Sequence, residues 1–280
     1  MLEVKNAIVT QNSGSNSKYL VSLLRICFLS SLVIILFFTN IGDSSSRVIP
    51  ISGTAVVFIW TPREAILASD SKQTDPEHLG NSENVCKILI TPRFAFVSTG
   101  LSELLADGFN VKAIANEVGN NTSTPSSVVN SFEKLLVPKL ERALEFARSH
   151  VLEIYNRQYK NKVVINGLFM FATDPPKIIV TSYRSKDTGG KIQLEHRIYE
   201  CPRVNKISKF EWNAYGHVEG LSGYLLSMPD FFKNRDVSVM ARDLVQAAID
   251  TMPDYVGPPI SIVSVSKKKI SRVDSSKMCQ

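Results

Sequence analysis

The sequence predicts an α+β domain built from layers of antiparallel sheet and helix, preceded by an apolar N-terminal segment. Three observations point there. Elements of one kind cluster in runs (strands, two helices, strands, a helix, a strand) and do not alternate as a βαβ repeat would. Pairs of short apolar runs are joined by proline-containing turns, the mark of hairpins. A third signal is the near-uncharged stretch of residues 19–41. With 280 residues, 44% hydrophobic and 21% charged, the chain can bury a full core. Disordered, collagenous and disulfide-miniprotein classes are excluded.

Residues 19–41, YLVSLLRICFLSSLVIILFFTNI, carry Arg25 as their one charge, as a signal anchor or signal peptide does. Lys5, Lys18 and Arg25 precede the apolar run and Asp43 follows it. The bias puts residues 1–18 in the cytoplasm and the domain on the other side of the membrane. No small-x-small cleavage site follows Phe38, which favours an anchor. Residues 42–53 read as a linker or propeptide. Thr54–Trp60 and Glu64–Ser69 then make a hairpin around Thr61, Pro62 and Arg63, and Val85–Ile90 with Phe94–Thr99 make a second around Thr91, Pro92 and Arg93. Helical spacing runs over Glu103–Val118. A long helix starts at a Thr124 cap with Pro125 in its first turn and continues to Ile154, with a kink expected at Pro138. Strands return at Val163–Ala172, Ile178–Tyr183 and Phe210–Tyr215, followed by a helix over Ser238–Thr251 and a strand over Ile260–Val265. The domain is thus 54–266, and 267–280 reads as a solvated basic tail.

The net charge of +6 sits at the two ends, with a surplus of two before Thr54 and of four from Lys267 onward. The body is balanced, so a nucleic-acid footprint is not expected. Cys27, Cys86, Cys201 and Cys279 have no finger spacing, and Cys86 with Cys201 is the one intradomain pairing to consider; buried free thiols are the expectation. His78, His150 and His196 show no ligand spacing. No metal and no cofactor is expected.

The motif-bearing strings begin at Gly53-Thr54-Ala55-Val56-Val57-Phe58, then Ala65 through Ala68-Ser69-Asp70-Ser71-Lys72-Gln73-Thr74. This resembles the start of a mature proteasome β subunit, a family that begins at a threonine released from a preceding glycine. Val85-Cys86-Lys87-Ile88-Leu89 resembles the strand carrying the family's catalytic lysine, and Val97-Ser98-Thr99-Gly100 the strand ending in its oxyanion-hole glycine. Trp212, Ala214, Tyr215, Gly216 and Asp254, Tyr255, Val256, Gly257 resemble the segments that carry the serine and aspartate near the nucleophile's amine. The resemblance covers about residues 53–266. It implies a four-layer αββα N-terminal-nucleophile (Ntn) hydrolase sandwich, a peptide or amide substrate and a homo-oligomeric ring.

The chemistry also follows from the residues. A threonine hydroxyl needs a base within reach. An N-terminal threonine supplies its own, because an α-amine has a reference pKa of about 7.7–8.0 whereas a lysine lies near 10.4. That requires autocleavage between Gly53 and Thr54. Lys87 would sit as a cation beside the nucleophile, Asp70 would pair with and fix it, and the backbone N–H of Gly100 would receive the developing oxyanion. Lys87 stands in an apolar run, and a lysine there needs a partner. The resemblance implies that Asp254 lies beside the amine, with His217 and Ser71 as neighbours; His217 follows Gly216 where the family usually has serine, and the serine after Asp254 is replaced by Val256 and Gly257. The reading is a threonine-type peptidase or amidohydrolase. The alternative is a catalytically inactive, membrane-tethered proteasome-like binding or assembly module, and a small-molecule amidase on the same fold is a third.

Overall fold

A computed structural model of the chain describes residues 50–51, 54–74, 82–121, 124–202 and 209–273. Contacts divide the chain after Ser46, and all that follows belongs to the unit starting at Arg47. The apolar stretch 19–41 and Gly53 lie outside the described residues. Among the described residues, no helix is long and apolar enough to cross a membrane.

In chain order the strands are β1 (Pro50–Ile51), β2 (Ala55–Trp60), β3 (Glu64–Ser69), β4 (Lys72–Thr74), β5 (Ser82–Asn84), β6 (Leu89–Ile90), β7 (Phe94–Gly100), β8 (Glu103–Leu104), β9 (Phe109–Asn110), β10 (Val163–Phe171), β11 (Lys177–Lys186), β12 (Gln193–Cys201), β13 (Glu211–Gly216), β14 (Ser261–Ser266) and β15 (Lys269–Arg272). The main helices are α1 (Val111–Asn121), α2 (Pro125–His150), α3 (Leu221–Leu226) and α4 (Val237–Thr251). Two antiparallel five-stranded sheets dominate, in the orders β13-β2-β3-β14-β15 and β12-β11-β10-β7-β6.

Alternation along the strands decides the layering, because successive side chains point to opposite faces. In β2, Val56, Phe58 and Trp60 join Ala95, Val97, Leu168 and Met170 in one core between the sheets. The odd residues Ala55, Val57 and Ile59 turn the other way and pack with Met240, Ala241, Leu244 and Ala248 of α4. On the second sheet, Phe94, Phe96 and Phe169 face outward onto Phe132, Leu136 and Leu140 of α2. The Phe96, Phe132 and Phe169 rings meet at 4.7–5.4 Å. Each sheet is therefore covered by helix on one face and by the other sheet on its opposite face. The Trp60 indole N–H is satisfied by the Pro176 carbonyl at 2.7 Å.

The first hairpin forms as expected, with Val56 opposite Ser69 and Trp60 opposite Ala65. The second is shorter: of Val85–Ile90 only β6 joins the ladder. The Val85 amide instead bonds the Ser71 carbonyl at 2.8 Å, which draws this segment toward the end of β3. The helix expected over Glu103–Val118 starts only at Val111. The stretch before it folds as β8, a 3₁₀ turn at Leu105–Asp107 and β9, and Asn110 Oδ1 caps the true start by accepting from the Ala113 amide at 2.8 Å. Thr124 caps α2 in a reciprocal capping box with Ser127. This helix runs unbroken through the exposed Pro138 and stops at His150, short of Ile154. Two strands of the five-stranded sheets escaped the sequence. β12 is a largely exposed edge strand with no apolar alternation, and β15 pairs Lys269 with Ser266, so residues 269–272 are sheet and not tail. Cys201 is buried and in no disulfide, while Cys86 is disulfide-bonded. The two do not pair with each other, and Cys86 is not the free thiol expected.

Candidate active site

Strand ends from both sheets converge on Thr54, which precedes β2 and is 6% exposed. Its carbonyl accepts from the His217 amide at 2.9 Å. Gly216, just before, has φ +87°, and a Cβ there would lie 1.8 Å from that same Thr54 oxygen; only glycine permits this approach. Gly100 ends β7 with φ +88°, and a Cβ on it would lie 2.2 Å from the Val164 carbonyl oxygen.

Asp70 follows β3 and is fully buried. Lys87 Nζ contacts both of its carboxylate oxygens, at 2.9 and 3.0 Å. Oδ1 also accepts from the Ala55 amide at 2.9 Å, and Oδ2 from the amides of Lys72 and Gly257, each at 3.1 Å. The amide next to the threonine and the ammonium are thus held by one carboxylate. Burial works against both charges. It pushes the Asp70 carboxyl up and the Lys87 ammonium down from their ordinary values, each opposed by the attraction of the partner. Three amide donors and a bidentate ammonium favour the ionised carboxylate, which holds the pair charged.

Thr54 and Lys87 line a cavity of about 230 Å³ together with Cys86, Ser98, Glu103 and Lys112. Thr54 also lines a second cavity of about 590 Å³ with Gly100, Gly216, His217 and Tyr255. The nucleophile candidate, though buried, therefore borders two cavities. His217 stacks on Tyr255, with ring centroids 4.7 Å apart, and burial pushes its pKa below 6.5 against the pull of Glu219 and Asp70.

Of the residues singled out from sequence, Thr54, Asp70 and Lys87 are brought together, and Gly100 and His217 share a cavity with Thr54. Ser71 is buried beside Asp70, its amide bonded to the Gly257 carbonyl at 3.1 Å. Asp254 is exposed; it is its neighbour Tyr255 that reaches the cavity. Sequence reasoning missed the part played by the Lys72 and Gly257 amides, which backbone geometry alone determines, and the basic rim of Arg157 and Lys162 on the larger cavity. No signal in the sequence linked that rim to Thr54. Among the described residues, no group of His, Cys, Asp or Glu side chains is arranged to hold a metal ion.

No protein-family model matches the chain, and no curated protein matches it. Among solved structures, the Gly-1 mutant of Anbu from Hyphomicrobium sp. strain MC1 aligns at 16% identity and a TM-score of 0.45, over 80% of this chain and 88% of that one.

Proposed function

We propose that the domain is a threonine-type Ntn hydrolase, a proteasome-like αββα sandwich that cuts amide bonds of peptides with Thr54 as its nucleophile. The observation that carries this reading is the Asp70 carboxylate, which binds Lys87 Nζ and the Ala55 amide at once, next to a threonine that opens onto two cavities. A buried lysine needs a carboxylate partner, but structure alone gives no reason to aim the pair at a threonine preceded by glycine.

In this reading, autocleavage frees the Thr54 amine. The neutral amine takes the Oγ proton as Oγ attacks the substrate carbonyl carbon, and the Gly100 N–H receives the oxyanion. The C–N bond then breaks, the departing amine takes the proton, and an acyl ester on Oγ remains. Water, deprotonated by the same amine, hydrolyses that ester and restores the hydroxyl. Lys87, held cationic by Asp70, lowers the pKa values of the amine and hydroxyl. Residues 19–41 hold the precursor in the membrane with the domain on the non-cytoplasmic side, and copies assemble as a ring.

Intact mass tests the proposal. Self-cleavage leaves a fragment of about 25 kDa at roughly 110 Da per residue, whereas Thr54→Ala stays whole. If wild type and Thr54→Ala both retain residues 1–53 and neither reacts with a threonine-directed electrophile, the enzyme reading fails and the tethered binding module stands in its place.

A further inference from the structure

Between the edge of β12 and the edge of β13 lies a cleft of about 760 Å³, the largest of the three cavities described. Its walls are aromatic: Phe58, Tyr199 and Tyr215 line it, while the Trp212 ring turns to the other face of β13 and packs on Phe232. The lips are unusually apolar for a surface, Ile198 being 43% and Tyr199 49% exposed. Among the described residues its charged lining consists of two carboxylates, Glu200 and Glu211, with no cation. Glu200 is neutralised by Lys177 at 2.9 Å. Glu211 is not neutralised by any described residue. One of its oxygens, Oε2, accepts from the Cys201 thiol at 3.3 Å, while Oε1 is buried with no hydrogen-bond partner among the described residues. A buried carboxylate oxygen without a donor costs free energy that a bound donor recovers.

We propose that this cleft is a binding site for an organic cation: a protonated amine, amidinium or guanidinium carried on a flat apolar body. The cation donates to Glu211 Oε1, and the body lies between the aromatic walls, where cation–π attraction adds to apolar burial. The thiol fixes the acceptor geometry by occupying Oε2, so the ligand approaches from the Oε1 side. Asn166 lines both this cleft and the larger cavity at Thr54, and its side-chain amide donates to Thr99 Oγ1 at 3.1 Å. A ligand in the cleft therefore lies one residue away from the candidate nucleophile's cavity. The site rests on Glu211 and the aromatic walls and not on the reactivity of Thr54.

Benzamidine is a suitable probe, with its neutral analogue benzamide as control, and binding is read by calorimetry. Wild-type protein is expected to bind benzamidine saturably and at least about tenfold more tightly than benzamide. Glu211→Gln, close to isosteric, should weaken benzamidine by about tenfold or more while leaving benzamide unchanged. Asn213→Lys, placed on an exposed residue of the lining, should abolish benzamidine binding without perturbing the core. Because the readout is binding, a failure here leaves the hydrolase reading intact, and loss of hydrolysis in Thr54→Ala leaves this site intact. Equal affinity for benzamide and benzamidine, no binding to wild type, or unchanged binding in both variants would overturn the proposal.

Discussion

Replacing Asp70 by asparagine keeps the shape of the side chain but removes the charge that organises the site. The carboxylate receives Lys87 Nζ on both oxygens and three backbone amides. A carboxamide accepts through one oxygen only, so its NH₂ faces donors that lose their acceptor. Removing one member of a buried ion pair costs about 3–5 kcal/mol, because the other charge is left uncompensated. Lys87 escapes part of this by losing its proton, the direction in which burial already pushes it. The expected loss in urea denaturation at pH 7 is therefore about 3 kcal/mol or somewhat more, a large share of the 5–15 kcal/mol typical of a domain. Adding Lys87→Met should restore much of the stability by removing the stranded ammonium. Hydrolysis of a fluorogenic peptide amide should stay at least about 100-fold down in both the single and the double variant, the scale of one lost proton-transfer or charge-stabilising group. A single variant within about 1 kcal/mol of wild type, or a double variant that hydrolyses normally, would refute the argument.

Three further outcomes follow from the same geometry. Gly216→Ala puts a Cβ 1.8 Å from the Thr54 carbonyl oxygen at φ +87°. A loss of about 3 kcal/mol or more is expected in chemical denaturation, along with loss of any processing, and a neutral result would mean that this close approach is not maintained. His217 titrates below its free value of 6.5 because burial disfavours its charged form. Between the two pKa values the unfolded chain carries the extra proton, so stability should fall as pH drops below 6.5; His217→Asn should flatten that slope in melts taken from pH 7 downward. Phe169→Ala empties the centre of the aromatic cluster between β10 and α2 and should cost about 3–5 kcal/mol, measured by the same urea titration. A cost below about 1 kcal/mol would show that the cluster collapses to fill the space.

Much of the layered fold was legible because the central strands are apolar on both faces. Continuous runs such as AVVFIW and EAILAS have no exposed side, so they demand cover above and below, and α4 on one face and the second sheet on the other supply it. Edges were illegible for the complementary reason. In β12, seven of nine residues are either exposed or half-buried at polar positions without a period of two, and hydrogen bonding to β11 alone makes it a strand. The helix boundary at Val111 was hidden because Leu104, in a short strand, stands seven residues before Val111 and so extends the helical spacing of Val111, Ile114 and Val118, all buried. At the site, Thr54, Asp70 and Lys87 could be read from side-chain chemistry. The amides of Lys72 and Gly257 could not, since every residue type but proline offers one.

The placement of Lys87 connects these levels. Had Val85–Ile90 formed the full strand its composition suggests, Lys87 would stand on one face of a sheet with its reach set by the pleat. Instead residues 85–88 leave the ladder and the Val85 amide is taken by the Ser71 carbonyl, one residue past Asp70. The Ser71 amide in turn is taken by the Gly257 carbonyl, and the Gly257 amide by Asp70 itself. Three distant segments are thus stitched around one carboxylate by bonds from backbone amides, in addition to the ammonium. Without Asp70 the lysine has no reason to turn inward, and without the break in the strand it has no means. The local departure from β structure in an apolar run is the physical signature of a lysine recruited to a buried acid beside Thr54.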